Sequence, residues 1–237
     1  MRLSSPIYTL KRQAKLLARD TDIRLHTALN QIAKAEGFKD WSHLASSYTK
    51  ATPANDIMRQ MNSGDMVLIG ARPGYGKTLL GLELAALAAK HNRTGYFFTL
   101  EYTETDVLDR FEMLGFDQKK QNRPVVVDTS DNICAAHIIE RLSIAPEDAL
   151  VVVDYLQLLD QKRSNPPLDE QVRALSGFAA EHGTIFVMTS QIDRAFERCS
   201  GGLPGIDDIR LPNPVDMSLF HKRCFLHDGT IRMDIAA

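Results

Sequence analysis

The sequence predicts an α/β fold with a mostly parallel central sheet, helices on both faces, and a small helical segment at the N-terminus. Runs of consecutive apolar residues, such as 66–70 and 149–153, suit strands that are covered on both faces. These runs alternate with helical patterns, as in parallel α/β sheets. With 237 residues and 44% hydrophobic content, the chain suits one domain with a small appendage, and wholesale disorder is disfavoured.

Residues 1–50 are predicted to form a basic helical segment. Apolar positions recur at helical spacing in 7–19 and in 24–36, Gly37 follows as a C-cap, and a third short helix begins after Asp40. The segment carries nine Lys/Arg and four Asp/Glu, a balance of +5, which leaves −7 for the remainder of a chain of net charge −2. This charge suits contact with nucleic acid or an acidic partner, and a solvated helical surface explains it equally well.

The second predicted domain, residues 51–237, begins within a linker at 49–56 whose Thr, Pro and Asn are typical of loops. Strand and helix patterns then alternate. The predicted strands are 66–70, 95–100, 124–129, 149–159 and 184–190, and the first predicted helix is 78–91. The run CFLHDGTIRMDI near the C-terminus predicts a hairpin that turns at Asp228 and Gly229.

Cysteine use and the length of the apolar runs disfavour several classes of protein. Cys134, Cys199 and Cys224 are widely spaced and form no CxxC pair, which argues against a disulfide scaffold or a zinc knuckle and suits a reducing compartment. The apolar runs are too short to cross a bilayer, and residues 1–20 lack the apolar core of a signal peptide. We therefore expect a cytoplasmic protein with no membrane partner.

The stretch ARPGYGKT at 71–78 predicts a phosphate-binding loop of the P-loop, or Walker A, type. A predicted strand precedes it and a predicted helix follows, as the motif requires. Backbone N–H groups and the helix N-terminus would surround a β-phosphate, Lys77 would reach the β- and γ-phosphates, and Thr78 would bind Mg²⁺. Ala71 replaces the first glycine of the pattern, which is possible if its φ is negative. The predicted nucleotide-binding residues are Ala71, Arg72, Pro73, Gly74, Tyr75, Gly76, Lys77, Thr78 and Leu79.

A carboxylate at the end of a neighbouring strand should accompany this loop, because it would hold Mg²⁺ through water. Asp154 follows four consecutive apolar residues, which bring it to the sheet edge at which ligands bind. Thr78 and Asp154 are therefore the predicted metal-binding residues, and ATP and Mg²⁺ are the predicted cofactors.

Four motifs, in this order, resemble the RecA-type motor domain of bacterial DnaB-family replicative helicases. They are GARPGYGKT at 70–78, FFTLE at 97–101, VVVDYLQLL at 151–159 and MTSQIDR at 188–194. SGDMVLIG at 63–70 and DDIR at 207–210 resemble the same family, so the likeness covers about 55–220. The resemblance implies a RecA-like P-loop NTPase fold and an ATP hydrolase that acts on or with DNA.

The resemblance also implies catalytic roles for Glu101 and Gln191, in addition to Lys77. Glu101 resembles the glutamate that orients and deprotonates the attacking water, which requires a carboxylate on the γ-phosphate side. Gln191 resembles the polar residue that senses the γ-phosphate. Its amide could donate to a phosphate oxygen before hydrolysis and lose that contact afterwards.

In such motors two loops grip the nucleic-acid backbone, and the matching segments here are 160–170 and 191–205. We expect a DNA partner, single-stranded in the simplest case, with little base stacking because neither segment contains an aromatic ladder. The predicted phosphate contacts are the basic residues Lys162, Arg163, Arg194 and Arg198.

Two features depart from the helicase pattern and leave a second function open. Ring motors complete the active site with a neighbour's basic pair, and no clear equivalent stands among the late basic residues Arg210, Lys222, Arg223 and Arg232. Residues 1–50 are also unlike the helicase N-terminal domain. The alternatives are a DnaB-like ATPase, which could form a homo-oligomeric ring, and a nucleotide-dependent switch or adaptor that binds a protein partner through residues 1–50.

Overall fold

A computed structural model describes residues 7–50, 53–144, 148–198, 203–211, 213–227 and 230–235. Within these ranges one sheet contains the strands β1 (Met66–Ala71), β2 (Thr94–Thr99), β3 (Val126–Asp128), β4 (Ala149–Asp154), β5 (Ile185–Gln191), β6 (Lys222–His227) and β7 (Thr230–Ile235). The strand order is β3-β2-β4-β5-β1-β6-β7. Every neighbouring pair is parallel except β6 with β7. The predicted α/β fold with a mostly parallel sheet is confirmed.

Helices cover both faces of this sheet, as predicted. The described helices are α1 (Ile7–Asp20), α2 (Leu25–Ala35), α3 (Trp41–Lys50), α4 (Pro53–Gln60), α5 (Lys77–Leu87), α6 (Glu104–Leu114), α7 (Ala135–Ser143) and α8 (Leu168–His182). Phe97 and Val152 point to the face that α4, α5 and α6 cover. Phe98 and Val153 point to the opposite face, against α7 and α8, because successive strand residues alternate. None of the described helices combines the length and apolar character needed to span a membrane.

Two boundaries predicted from the sequence are wrong. The predicted linker 49–56 contains the start of α4, because Pro53 occupies the first position of the helix, where its fixed φ is favourable. Ala54 and Ile57 of this helix are buried in the main core. The predicted strand 149–159 ends at Asp154, and Leu156–Asp160 form a 3₁₀ helix. An apolar run alone does not distinguish a strand from a buried helical turn.

The N-terminal helices α1 to α3 form around a small core of their own, in which Leu10, Ala33 and Leu44 are buried. Gly37 ends α2 with a φ of 84°, as the predicted C-cap. The N–H of Phe38 donates to Ala33 O at 2.9 Å and that of Gly37 donates to Lys34 O at 3.0 Å, the paired bonds of a Schellman motif. The division into domains at residue 50 stays a prediction.

The C-terminal hairpin forms as predicted, with β6 antiparallel to β7, although its predicted turn at Asp228 and Gly229 lies outside the described residues. Cys224 of β6 is buried, and desolvation raises the pKa of its thiol to about 12, so it behaves as an inert core residue. Cys134 is also free. Cys199 lies outside the described residues.

Candidate nucleotide-binding site

The phosphate loop, residues 71–78, joins β1 to α5 at the carboxyl edge of the sheet. Gly74 and Gly76 have φ values of 84° and 88°, a conformation that glycine adopts without strain. A Cβ on either glycine would meet no atom within 4 Å, so backbone conformation, and not crowding, requires glycine here. Ala71 is the last residue of β1, where the extended backbone suits an alanine. The N–H groups of the first turn of α5 face the loop and form a ready anion site.

Asp154 ends β4 beside the loop and is fully buried. Its carboxylate accepts hydrogen bonds from Thr78 Oγ1 at 2.8 Å and from Thr189 Oγ1 of β5. Thr189 was missed from the sequence, where a hydroxyl within the apolar run 184–190 was the available signal. Both bonds fix the carboxylate in one orientation toward the start of α5.

Lys77 lies between two carboxylates. Its Nζ is 3.4 Å from Asp154 Oδ1 and 3.8 Å from Glu101 Oε2. The Lys77 side chain is only 8% exposed, whereas that of Glu101 is 33% exposed. Thr99 Oγ1 accepts a hydrogen bond from Glu101 N at 3.1 Å and so holds the turn that presents Glu101 beyond β2. The loop lysine and the predicted water-activating glutamate therefore lie together, with the glutamate on the open side.

Gln191 ends β5 level with Ala71 of β1, because the two strands are parallel and in register there. Its carbonyl accepts the N–H of Arg210 at 2.8 Å, and the next residue, Ile192, donates to Ala71 O at 3.0 Å. Arg72 Nη1 donates to Ile192 O at 3.2 Å. The start of the phosphate loop is thus bonded directly to the chain that follows Gln191.

A cleft of about 550 Å³, termed the main cleft, opens above these strand ends. The predicted residues that line it are Pro73, Gly74, Gly76, Lys77, Thr78, Leu79, Glu101 and Gln191. Ala71 and Asp154 lie beneath it, buried. Arg72 is turned to Ile192, and the ring of Tyr75 lies against His227.

One wall of the main cleft was not predicted from the sequence. It consists of Tyr102 and three residues of α6: Asp109, Arg110 and Met113. The guanidinium of Arg110 stacks on the Tyr102 ring at 3.9 Å from its centroid. A capping box begins α6, and the hydrogen bonds from Thr103 lower the pKa of the Asp106 carboxyl. The TETD sequence of this cap was the available signal.

The oxygen atoms present fit Mg²⁺ better than a transition metal. Thr78 and Asp154 supply a hydroxyl and a carboxylate, the hard ligands that Mg²⁺ prefers. The described residues contain no cluster of three or more His, Cys, Asp or Glu side chains that could enclose a metal ion. A site of two protein oxygens suits an ion that keeps its waters and binds substrate phosphates.

Comparisons with known proteins agree with this geometry. The family model described as DnaB-like helicase C terminal domain matches residues 48–115. The replicative DNA helicase DnaB of Leifsonia xyli subsp. xyli is 25% identical over an alignment of 214 residues, which covers 77% of this chain and 46% of that protein. The chain contains a RecA-like domain of the DnaB family. It spans about half the length of the curated relatives that it matches.

Two solved structures share the fold of this DnaB-family domain. The first, a separate ATPase domain, has a TM-score of 0.52 at 19% identity, and the match covers 70% of this chain and 75% of that one. The second, a DnaB-like replicative helicase studied with its interactions with primase, has a TM-score of 0.57 at 18% identity, and the match covers 93% of this chain and 65% of that one. The likeness to the second structure extends over the N-terminal helices as well as the sheet.

The first predicted DNA loop of the DnaB-family domain is shorter and better held than expected. Residues 168–170 of the predicted loop 160–170 form the first turn of α8. Gln171 is buried and donates to Leu159 O at 2.7 Å and to Pro166 O at 2.8 Å, which ties both ends of the loop to α8. Lys162 and Arg163 are exposed, and Lys162 Nζ donates to Asn132 Oδ1 at 2.7 Å.

The second predicted DNA loop, 191–205, begins with the last residue of β5 and contains the 3₁₀ helix Arg194–Arg198. Arg194 is exposed, and residues 199–202 lie outside the described part of the chain. The backbone of Asp193 donates to Asp208 O at 2.7 Å, which closes the base of the loop. The side chain of Arg198 is not described, so its predicted contact with DNA stays open.

The late basic residues of the DnaB-family domain are largely engaged within the chain. Lys222 is buried and forms an ion pair with Asp65. Arg223 donates to Met217 O at 2.9 Å, and Arg232 pairs with Asp234 at 3.0 Å. Arg210 is exposed and forms no salt bridge with any residue in the described ranges.

Proposed function

We propose that this chain is a Mg²⁺-dependent ATPase of the DnaB type that acts with single-stranded DNA. The observation that carries the proposal is the position of Lys77, between the buried Asp154 and the more exposed Glu101, on the floor of the main cleft. This arrangement separates a carboxylate suited to a metal ion from one that water can reach. Its support from known proteins is the match to the DnaB-like helicase family.

In the proposed reaction Lys77 exchanges its carboxylate partners for the β- and γ-phosphate oxygens of ATP. Glu101 is then freed from its ion pair and accepts the proton of the attacking water, within an exposed part of the cleft. Thr78 and Asp154 hold Mg²⁺, which when bound neutralises charge on the phosphates. The two hydrogen bonds to Asp154 keep this carboxylate oriented without reorganisation.

The DNA part of the proposal assigns Lys162, Arg163, Arg194 and Arg198 to backbone phosphates. Of these, Lys162, Arg163 and Arg194 are exposed, as phosphate contacts must be. Gln191 reports the γ-phosphate to the second loop, because its carbonyl and the N–H of Ile192 are hydrogen-bonded to Arg210 and Ala71. A homo-oligomeric ring belongs to this proposal, and Arg210 is its trans-acting candidate because its side chain is exposed.

A second candidate function is a nucleotide-dependent switch without motor activity. The observation that favours it is the engagement of Lys222, Arg223 and Arg232 within their own chain, which leaves fewer cations for a neighbour's active site. A missing trans-acting arginine can lower the rate of hydrolysis by ~10³-fold or more. The protein partner of such a switch would bind the basic helices α1 to α3.

Steady-state ATP hydrolysis with Mg²⁺, measured with and without a single-stranded oligonucleotide, tests the first proposal. Lys77→Ala supplies the blank, and Lys90→Ala, at an exposed lysine beyond the far end of α5, is the matched control. Stimulation by DNA in the wild type and in the control, with nucleotide-dependent rings in sedimentation, supports the motor. A slow rate above the blank that DNA does not change supports the switch, and a rate equal to the blank contradicts both.

A further inference from the structure

The C-terminal hairpin contacts the phosphate loop and the second predicted DNA loop at the same time. His227, the last residue of β6, stacks on Tyr75 at the tip of the phosphate loop, with ring centroids 5.4 Å apart and an interplanar angle of 12°. The ring of Phe196 meets the same histidine edge-on at 5.2 Å and 89°. One imidazole therefore bridges two loops that are separated by about 120 residues of sequence.

The register of the sheet explains this meeting. Ala71, at the base of the phosphate loop, is level with Leu226 of β6, so His227 emerges beside the loop. The loop after β5 rises from the other side of β1, since Gln191 is level with Ala71 as well. The phosphate loop is thus flanked by both segments at one edge of the sheet.

The hairpin also holds the far end of the second loop. Arg232 of β7 donates from Nη2 to Pro204 O at 3.2 Å, and its guanidinium lies 5.6 Å from the centroid of Phe225. Phe196 and Pro204 stand on either side of the part of the loop that carries Arg198. Contacts from one hairpin therefore reach the loop both before and after that residue.

We propose that His227 is a positioning residue that couples nucleotide binding at the phosphate loop to the conformation of the loop after Gln191. Tyr75 lies between Gly74 and Gly76, whose left-handed backbone makes the tip easy to move, and Tyr75 is 38% exposed. When the loop closes on a polyphosphate, the Tyr75 ring moves with it and carries the stacked imidazole and Phe196. This coupling rests on the proposed function and adds a route separate from Gln191.

Amide hydrogen exchange with and without a non-hydrolysable ATP analogue and Mg²⁺ tests the coupling. In the wild type, the analogue protects residues 77–80 at the start of α5 and also residues 192–196. His227→Ala keeps the protection of 77–80 and reduces the nucleotide-dependent protection of 192–196 by roughly 2- to 12-fold, the range expected from one aromatic pair. His227→Phe, which keeps a flat ring, restores it.

His182→Ala is the matched control, because His182 packs on Phe178 with centroids 4.2 Å apart at the far end of α8. This variant should leave both protected segments unchanged. The coupling is overturned if His227→Ala keeps wild-type protection of 192–196, or if His227→Phe loses as much as His227→Ala. No protection of 77–80 in the wild type would overturn the proposed nucleotide site itself and the coupling with it, which makes the two failures distinguishable.

Discussion

The floor of the main cleft and the two loops predicted to hold DNA keep their charges in different ways. On the floor, Lys77 is 8% exposed and lies between two carboxylates, and Asp154 is fully buried. In the loops, Lys162, Arg163 and Arg194 are exposed. Buried charges are costly unless they are paired, so the floor is preorganised at an energetic cost that a ligand can exploit. Exposed cations cost little, and they act mainly through long-range attraction and counterion release.

This difference teaches where each function should be sensitive. A substitution on the floor disturbs several partners at once, because each buried group satisfies its neighbours. A substitution in the loops removes one phosphate contact and leaves the remaining contacts in place. We therefore expect large, specific effects on the floor and smaller, additive, salt-dependent effects in the loops.

Lys77→Ala should have the largest effect. It removes the phosphate-binding cation, so hydrolysis should fall by roughly 10³-fold, to the blank level. It also leaves the buried Asp154 carboxylate without its ion pair, which should lower the free energy of unfolding by about 3–5 kcal/mol. Urea unfolding and ATP hydrolysis measure the two effects. Lys77→Met, which keeps the apolar stem, guards against a variant that fails to fold, and wild-type turnover in either variant would refute the assignment.

Glu101→Gln should come next. The amide cannot accept a proton from water, so turnover should fall by roughly 10²-fold or more while ATP still binds. Because Glu101 is exposed at the mouth of the cleft, stability should change little. Hydrolysis and binding of a fluorescent ATP analogue separate the two effects. The matched control is Glu104→Gln, an exposed acid at the start of α6. Equal turnover in the wild type and Glu101→Gln would remove Glu101 from its proposed role.

Thr189→Val should have an intermediate effect. The substitution keeps the shape of the side chain but removes the hydrogen bond to the buried Asp154 carboxylate. The free energy of unfolding should fall by about 1–3 kcal/mol, and the Mg²⁺ concentration needed for half-maximal hydrolysis should rise roughly 10-fold. Thr184→Val, at a buried threonine just before β5, is the control. An unchanged Mg²⁺ dependence would mean that Thr189 does not orient the metal-binding carboxylate.

The combined variant Lys162→Ala, Arg163→Ala and Arg194→Ala should have the smallest effect per residue. Each lost phosphate contact should reduce the log–log salt slope of single-stranded DNA binding by roughly 0.7, so the three together should reduce it by roughly 2. Fluorescence anisotropy across a series of salt concentrations measures the slope. Lys90→Ala should leave it unchanged, because Lys90 lies at the opposite edge of the sheet. A triple variant with the wild-type slope would place the DNA contacts elsewhere.

Sequence predicted the floor of the cleft well because its residues follow one another along strands and loops. The phosphate loop is contiguous, and Glu101, Asp154 and Gln191 each lie at or just beyond a strand's carboxyl end, which a parallel sheet brings to one edge. The wall formed by Tyr102 and α6 could not be predicted in this way. Its approach to the cleft depends on how α6 packs across the sheet, which no local pattern specifies.

The errors have equally local causes. Pro53 suggested a linker, yet proline is favourable at the first position of a helix. The apolar run 155–159 extended the predicted strand, although Leu156, Leu158 and Leu159 are buried in a 3₁₀ turn. His227 had no recognisable signal, because its two aromatic contacts come from segments far apart in sequence.

The most direct test of the contrast is the fold stimulation of ATP hydrolysis by single-stranded DNA, compared between the wild type and the triple loop variant. A buried catalytic floor and exposed DNA loops predict that the variant keeps the wild-type rate without DNA and loses most of the stimulation at physiological salt. Equal stimulation in the two proteins would contradict the account, and so would a variant whose basal rate falls as far as its stimulation.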